Sequence, residues 1–419
     1  MKDGFIKVAA ATPDVRVADC EYNATEIIRM IHEMEAQGAK IMVFPELCIT
    51  AYTCGDLFWQ ENLLEEAKVQ LVRIAEETKE VDALIFVGLP LEYNGKLYNV
   101  AAGLNHGEIL GFVPKTWLPN YNEFYEARYF TSGEHVDGTV HIDREAYKER
   151  YDSDFDDVEF DIEMTSFDGF EELEEIDDED FGGEDFDDED LFDDDEMDDE
   201  LYEEDIWISP NTIFTCEDMP KLQIAAEICE DLWVPNPPSV AHAFHGANLI
   251  VNLSASDEVV GKDSYRKSLV SAQSARLLCG YIYADAGEGE SSTDLVFAGH
   301  NLIAENGSIL SETKRFENGM TISEIDLGRL VSERRRMSTF TINDPETNGY
   351  EVAEFEFKNI CDTTLTRHFE KTPFVPNDKN DRDRRCDEIL NIQAKGLKKR
   401  LEHTHCKSAV IGISGGLDS

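Results

Sequence analysis

Residues 222–233 read LQIAAEICEDLW, and the predicted fold is organised around this stretch. Its first seven residues are mostly apolar and match the length of a buried β-strand. The strand delivers Cys229 to a short acidic turn, and α/β sheets place their chemistry at such strand ends. Cys229 is therefore a candidate nucleophile. A buried cysteine is more often a small apolar core residue, so this interpretation depends on partner residues elsewhere in the chain.

The segments before this stretch alternate between strand and helix patterns. Apolar runs predict strands at 6–11, 40–47 and 83–90, and helical spacing of apolar residues predicts helices at 19–37 and 57–79. Alternation of this kind indicates an α/β fold.

Two other strand ends carry charged side chains. The strand at 40–47 ends at a proline followed by Glu46, and a strand at 108–113 runs into Lys115. The loop at 114–130, PKTWLPNYNEFYEARYF, is dense in proline, aromatic and charged residues, which is typical of functional loops.

A carboxylate, an ammonium and a thiol form a set that suits acyl transfer. The carboxylate of Glu46 takes the thiol proton, the sulfur of Cys229 attacks, and the ammonium of Lys115 stabilises the oxyanion. Taken singly, Glu46 also fits a solvated loop acid and Lys115 a surface lysine.

Most of the chain's acidity lies in one tract. Residues 151–205 contain 32 Asp and Glu and no Lys or Arg, in a chain with a net charge of −52. Dense like charge opposes collapse, so we expect a disordered insertion at about 148–205. A solvated spacer is the favoured interpretation, with docking of a basic partner or weak cation adsorption as alternatives. An acidic protein repels phosphates and anionic lipids, so neither nucleic acid nor membrane is a predicted partner.

The nine cysteines are scattered without paired spacing, and neither CxxC nor HExxH occurs. We therefore expect no metal site. The start of the chain does not resemble a signal peptide, and no apolar run reaches the length of a membrane span. These features predict a reducing, cytoplasmic location.

The pattern predicts a first domain at 1–342, an interdomain connection at 343–380 and the start of a second domain at 381–419. The last segment contains a predicted helix at 381–403 and a predicted strand at 408–413 that leads into SGGLDS. Glycines in such a loop let backbone N–H groups approach phosphates. The loop consists of Ser414, Gly415, Gly416, Leu417, Asp418 and Ser419.

Three motifs resemble those of the nitrilase, or carbon-nitrogen hydrolase, superfamily: FPEL at 44–47, the loop at 114–130, and ICED at 228–231. The resemblance implies a four-layer α-β-β-α sandwich. Within the superfamily, the motifs PEL, ITAY, DLF, LPNY and EF between residues 45 and 124 are similar to the glutaminase domain of glutamine-dependent NAD synthetases. The SGGLDS loop is similar to the pyrophosphate loop that opens the Rossmann-like synthetase domain of those enzymes. The resemblance implies that ATP and its pyrophosphate group are bound by candidate phosphate-binding residues Ser414, Gly415, Gly416, Asp418 and Ser419. The acidic insertion departs from the family pattern.

The resemblance implies a role for each motif residue. Glu46 is the general base, Lys115 the oxyanion stabiliser and Cys229 the nucleophile, and Glu123 is a second glutamate that positions substrate and water. Five residues resemble the glutamine pocket: Tyr52, Tyr121, Glu230, Ser256 and Lys262. The two tyrosines also fit core aromatics, and Lys262 also fits a cation at a helix start.

The implied reaction is hydrolysis of the glutamine side-chain amide through a thioester, without a cofactor. In the family the ammonia passes to a site where ATP, with Mg²⁺, adenylates deamido-NAD, and we expect a homo-oligomer. Because the sequence ends at Ser419, we expect glutaminase chemistry without synthetase activity. The alternatives are a stand-alone nitrilase-type amidase and a non-enzymatic acidic interaction protein.

Overall fold

The computed structural model describes residues 1–151, 203–292, 294–369 and 371–416. These fall into two units, Met1–Leu365 and Thr366–Ser419. The strands are β1 (Phe5–Thr12), β2 (Ile41–Val43), β3 (Leu84–Tyr93), β4 (Lys96–Asn105), β5 (Glu108–Pro114), β6 (Gly138–Asp143), β7 (Glu203–Ile208), β8 (Thr212–Cys216), β9 (Gln223–Ile228), β10 (Leu249–Ser254), β11 (Gly280–Asp285), β12 (Leu302–Glu305), β13 (Ser308–Glu312), β14 (Gly319–Asp326) and β15 (Glu351–Phe355). The α-helices are α1 (Cys20–Glu35), α2 (Glu61–Glu77), α3 (Glu145–Tyr151), α4 (Pro238–Phe244), α5 (Lys262–Leu277), α6 (Leu327–Arg336) and α7 (Lys379–His403).

The first unit is built on two mixed sheets. One has the strand order β14-β1-β2-β3-β4-β5-β7-β6, and the other has the order β13-β12-β11-β10-β9-β8-β15. In each sheet three central strands run parallel, β1-β2-β3 and β9-β10-β11. Strands covered on both faces are apolar throughout, which is why their sequences read as continuous apolar runs.

The two sheets pack face to face with helices outside each of them. Phe86 of β3 and Phe214 of β8 meet edge to face across the interface, with ring centroids 5.1 Å apart. On the outer faces, α1 and α2 cover the first sheet and α4 and α5 cover the second. Side chains in these outer layers include Ile31, Leu71, Ala243 and Val270. The predicted four-layer α-β-β-α sandwich is confirmed.

Strands β6 and β7 flank the acidic tract and pair antiparallel, from Gly138 opposite Ile208 to Asp143 opposite Glu203. Most of the insertion expected at 148–205 lies outside the described residues. At its two ends the described structure is regular, with α3 running to Tyr151 and β7 starting at Glu203. Pairing with β6 gives the acidic start of β7 a backbone partner, which charge patterning does not reveal.

The segment expected to connect the domains differs from that expectation. Strand β15 lies inside residues 343–380 and pairs parallel with β8 at the edge of the second sheet. After β15, the carbonyl of Cys361 accepts a hydrogen bond from the amino group of Met1 at 2.8 Å. The first unit therefore extends to Leu365. Backbone pairing at a sheet edge requires no strong apolar period, so the sequence pattern missed this strand.

The second unit contains α7, as predicted, with the Asp378 side chain accepting the N–H of Asp381 at 2.8 Å at its start. Residues 408–413 were expected to form a strand, but they have no regular secondary structure. A strand needs a neighbour for its hydrogen bonds, and none is paired with these residues in the described part of the unit. Within the residues that the structure describes, no helix is long and apolar enough to span a membrane.

Candidate active site

Three strand ends meet at the candidate site. Glu46 lies three residues beyond β2, while Lys115 and Cys229 directly follow β5 and β9. Strands β2 and β5 belong to the first sheet and β9 to the second, so the cluster draws on both sheets. All three side chains are buried.

Lys115 lies between two carboxylates. Its Nζ donates to Oε1 of Glu46 at 2.6 Å and to Oε1 of Glu126 at 2.6 Å. Burial alone lowers the pKa of Lys115, but the charges of Glu126 and Glu46 outweigh it and hold that pKa well above its usual range. Lys115 is therefore a permanent cation at this site.

Glu46 is held by three donors. Besides Lys115, the side-chain amide of Asn99 donates to Oε1 at 2.6 Å, and the backbone N–H of Ala255 donates to Oε2 at 3.0 Å. Ala255 directly follows β10 of the second sheet. The carboxylate thus bridges the two sheets in one fixed orientation.

Glu126 is the second carboxylate on Lys115, and its Oε1 also accepts the hydroxyl of Tyr52 at 2.8 Å. Burial raises the pKa of Glu126 to about 8, against the opposing effect of Lys115. Its other oxygen, Oε2, is buried and has no hydrogen-bond partner among the described residues. In the neutral form this oxygen presents an O–H group to a ligand.

Cys229 adopts a left-handed backbone conformation, with φ of +44°, at the first residue of a short 3₁₀ turn, Cys229–Leu232. Such strain in a non-glycine residue is typical of functional sites. Burial raises the pKa of the Cys229 thiol well above its usual range, and the charge of Glu46 adds to this while Lys115 opposes it. The sulfur is therefore protonated at neutral pH and needs a base when it attacks.

Two of the expected pocket residues contact each other. The hydroxyl of Tyr121 donates to Oε1 of Glu230 at 2.8 Å. Burial raises the pKa of Glu230, and the hydrogen bond from Tyr121 opposes this effect. The Tyr121 ring also meets Phe124 with centroids 6.2 Å apart.

Lys262 belongs to the same group of side chains. Its Nζ lies 5.8 Å from the ring centroid of Phe124 and 5.2 Å from that of Trp233, and it contacts the carboxylate of Asp257. Two aromatic faces and one carboxylate hold the ammonium in place.

Ser256 lies deeper in the protein. Its backbone N–H donates to Oδ1 of Asp285 at 2.9 Å, and its hydroxyl accepts a hydrogen bond from Arg266 at 3.3 Å. Two buried charged side chains, those of Asp285 and Arg266, thus fix Ser256.

Glu123 lines a cavity of about 280 Å³ together with Tyr52, Glu126 and Ser291. Lys115 contacts Glu126, which lies three residues after Glu123 in the loop. The structure describes no contact between Lys115 and Glu123. The sequence analysis missed Glu126. The only available signal was a second glutamate in the same loop, eleven residues after Lys115.

Three of the five candidate phosphate-binding residues, Ser414, Gly415 and Gly416, are described in the second unit. Gly415 has a φ of +88°, a conformation that favours glycine. Asp418 and Ser419 lie outside the described residues.

A four-layer sandwich with a glutamate, a lysine and a cysteine at its strand ends defines the class of carbon-nitrogen hydrolases. The sequence model of the family described as "Carbon-nitrogen hydrolase" matches residues 7–144 and 189–335. The chain belongs to the carbon-nitrogen hydrolase family.

Within this family, the chain is similar in sequence to glutamine-dependent NAD(+) synthetases. The chain is 33% identical over 426 residues to the glutamine-dependent NAD(+) synthetase of Mycobacterium tuberculosis, covering 99% of this chain and 54% of that protein. It is 24% identical over 363 residues to the human protein of the same name, covering 86% of this chain and 44% of that protein. The chain spans about half the length of these relatives.

Solved structures give the same fold. A glutamine-dependent NAD(+) synthetase from Cytophaga hutchinsonii aligns with a TM-score of 0.56 at 25% identity, over 77% of this chain and 43% of that one. An amidase from Nesterenkonia sp. aligns with a TM-score of 0.51 at 18% identity, over 80% of this chain and 98% of that one. The amidase supports the fold alone.

Proposed function

We propose that this chain is the ammonia-supplying part of a glutamine-dependent NAD(+) synthetase and hydrolyses the side-chain amide of glutamine. The observation that carries this proposal is the placement of Lys115 at 2.6 Å from both Glu46 and Glu126, beside the buried thiol of Cys229. The named relatives support the choice of glutamine.

In the first half of the reaction, Glu46 accepts the proton of the Cys229 thiol as the sulfur attacks the amide carbon. A carbon–sulfur bond forms and the carbonyl oxygen becomes an oxyanion. Lys115 and the backbone N–H of Glu230 stabilise that charge. As the intermediate collapses, the carbon–nitrogen bond breaks and the leaving nitrogen takes the proton from Glu46. The products are ammonia and a glutamyl thioester.

In the second half, water attacks the thioester and gives a proton to Glu46. The carbon–sulfur bond breaks, the proton returns to the sulfur, and glutamate leaves. Glu126 orients the amide or the attacking water through its free oxygen, because its other oxygen is occupied by Lys115 and Tyr52. This is the role that we expected of Glu123, whose own side chain lies on the cavity wall.

The group formed by Tyr121, Glu230 and Lys262 suits the amino-acid end of glutamine. Glu230 offers a carboxylate to the α-ammonium, and Lys262 offers an ammonium to the α-carboxylate. Opposite charges on one pocket wall favour a zwitterion over an aliphatic amide. Ser256 completes the proposed pocket from its buried position.

We propose ATP, Mg²⁺ and deamido-NAD as ligands of the complete synthetase, on the strength of the SGGLDS loop and the named relatives. The left-handed backbone of Gly415, where an added Cβ meets no atom within 4 Å, fits a loop that admits phosphate groups. Amide hydrolysis uses none of these ligands. A cytoplasmic location agrees with nine free cysteines, six of them buried.

The test is ammonia release by the full 419-residue chain from glutamine and from propionamide. We expect a higher kcat/KM for glutamine and its loss in Cys229→Ala. A preference for propionamide overturns the proposal in favour of a stand-alone amidase. A variant lacking residues 152–202 should keep the activity. Ammonia release from neither amide by the wild type favours a non-enzymatic acidic interaction protein.

A further inference from the structure

Glu290 is a half-buried acidic residue that the proposed mechanism does not use. It follows the glycine-rich turn Gly287-Glu288-Gly289, between β11 and β12. Gly289 has a φ of +112°, and a Cβ there would lie 2.1 Å from the carbonyl oxygen of Val15. Only glycine fits at this position, so the turn packs closely against the backbone of the loop that follows β1.

The Glu290 carboxylate holds the turn at the start of the 3₁₀ segment Tyr52–Trp59. Its Oε1 accepts the backbone N–H of Tyr52 at 2.8 Å, and its Oε2 accepts the backbone N–H of Thr53 at 2.9 Å and the hydroxyl of Thr53. In return, the N–H of Ser291 donates to the Thr53 hydroxyl at 2.7 Å. Two neighbouring N–H groups thus face one carboxylate.

The residue just before the 3₁₀ segment Tyr52–Trp59 has a strained backbone. Ala51 has a φ of +69°, a conformation that an alanine adopts only when its surroundings hold it there. The bonds from Glu290 to the next two residues supply such a restraint. They set the direction in which the Tyr52 side chain leaves the backbone.

The Tyr52 side chain ends at the candidate catalytic cluster. Its hydroxyl donates to the same oxygen of Glu126 that accepts the Lys115 ammonium. Tyr52 therefore connects Glu290 to Glu126, because its backbone N–H is bonded to Glu290 and its hydroxyl is bonded to Glu126. Each link is a described contact, and the middle link is a rigid aromatic side chain.

We infer that Glu290 is a positioning residue that sets the Tyr52 hydroxyl against Glu126 and thereby fixes the carboxyl group beside the reacting amide. The inference rests on the proposed function for its catalytic consequence. The geometric part of the inference, that Glu290 positions Glu126 through Tyr52, does not depend on the identity of the substrate.

The experiment compares the full-length wild type with Glu290→Ala, Glu290→Gln, Tyr52→Phe and Glu290→Ala/Tyr52→Phe. The matched control is Glu288→Ala, because Glu288 is exposed and lies two residues away. The first measurement is the rate of Cys229 alkylation by iodoacetamide between pH 5.5 and 9.5, followed by mass spectrometry of the Cys229 peptide. The second is kcat/KM for glutamine over the same range. Circular dichroism and thermal unfolding establish that each variant folds.

The Tyr52 hydrogen bond lowers the pKa of Glu126, so its loss moves the Glu126-dependent step of both profiles to higher pH. We expect this shift in Tyr52→Phe and Glu290→Ala, no larger shift in the double variant, and a smaller shift in Glu290→Gln, which keeps one acceptor oxygen. Turnover of Glu290→Ala should fall roughly tenfold, as expected when one hydrogen bond to an ionisable group is lost. Glu288→Ala should match the wild type.

Two results overturn the inference. In the first, a folded Glu290→Ala or Glu290→Gln has its Glu126-dependent step at the same pH as the wild type. In the second, the pH shift of the double variant equals the sum of the shifts of the two single variants. If Glu290→Ala does not fold, the isosteric Glu290→Gln decides. A wild type that leaves glutamine intact, with the alkylation shifts as expected, refutes the proposed function and keeps the positioning role. If the wild type hydrolyses glutamine but the variants show no shift, the proposed function stands and the positioning role is refuted.

Discussion

The carboxylate of Asp231 accepts the backbone N–H of Trp117 at 2.8 Å, and this bond joins the turn that carries Cys229 to the loop that follows Lys115. The other oxygen of Asp231 accepts the N–H of Ile228 at 3.0 Å, just before the cysteine. One buried side chain therefore sets the spacing between the candidate nucleophile and the candidate oxyanion stabiliser.

Replacing Asp231 with alanine should lower both stability and turnover. The buried N–H of Ile228 loses its acceptor, which costs about 1–3 kcal/mol, and the partly buried N–H of Trp117 loses its acceptor at a smaller cost because water can reach it. Because Cys229 and Lys115 then lose their common support, kcat should fall by more than tenfold, a loss that about 1.4 kcal/mol of misalignment produces. Urea unfolding and glutamine turnover measure the two effects. Exposed Asp137→Asn is the control, and an unchanged kcat in a folded Asp231→Ala contradicts the prediction.

Glu126 should make the protein less stable as pH rises. Its pKa is about 8 in the folded chain and near 4.5 in the unfolded chain. Between these values the unfolded chain has released a proton that the folded chain still holds, so the free energy of unfolding falls from about pH 4.5 to about pH 8. Glu126→Gln carries no titratable proton and should show a shallower fall.

Urea unfolding of wild type and Glu126→Gln at pH 5, 6.5 and 8 tests this sign. Asp231 and Asp285, whose pKa values burial raises to about 7, contribute the same slope to both proteins. The difference between the two curves therefore isolates Glu126. Parallel curves over this range contradict the raised pKa.

Lys115→Met should make the Cys229 thiol less reactive. The charge of Lys115 lowers the thiol pKa and the charge of Glu46 raises it, so removing the cation leaves the unfavourable charge of Glu46. Alkylation by iodoacetamide at pH 7.5 should slow by roughly tenfold, which corresponds to one pKa unit. Lys40→Met is the control, because Lys40 precedes β2 at the end opposite Glu46 and pairs with Asp82. Equal rates in Lys115→Met and wild type contradict the prediction.

The elements around the candidate site follow closely from the sequence. The strand expected at 6–11 is β1, Phe5–Thr12, and the helix expected at 19–37 is α1, Cys20–Glu35. Glu46, Lys115 and Cys229 were singled out because each follows an apolar strand, and the structure brings these three strand ends together. Local apolar patterns carry this information because parallel strands buried on both faces have to be apolar.

The residues that orient the site do not follow from local pattern. The bond between Asp231 and Trp117 spans 114 positions in sequence, and the bond between Glu290 and Tyr52 spans 238. Both end on backbone N–H groups, which every residue type except proline provides, so no motif marks them. The contact between Lys115 and Glu126 depends on the path of the loop, where Glu126 begins a short 3₁₀ turn, Glu126–Arg128.

Lys262→Met should discriminate between substrates. If the ammonium binds the α-carboxylate of glutamine, its removal raises KM for glutamine by roughly 10- to 100-fold, the effect of losing one charge-assisted hydrogen bond. Propionamide has no α-carboxylate, so its slower hydrolysis should be unaffected. Steady-state kinetics with both amides measures this. Lys267→Met, on the same helix and paired with Glu312, is the control, and equal effects on both substrates contradict the assignment.

Arg334 should stabilise the fold without affecting catalysis. This buried guanidinium of α6 donates to the carbonyls of Leu277 and Leu278 at the end of α5, and to those of Gly246 and Ala247 before β10, at 2.7 to 3.2 Å. Arg334→Met leaves these carbonyls without their donor and should lower the free energy of unfolding by about 3–5 kcal/mol. Arg334→Lys should not restore it, because an ammonium cannot reproduce the planar fork. Exposed Arg335→Met should unfold like the wild type. A urea midpoint of Arg334→Met equal to that of the wild type contradicts the stabilising role of Arg334.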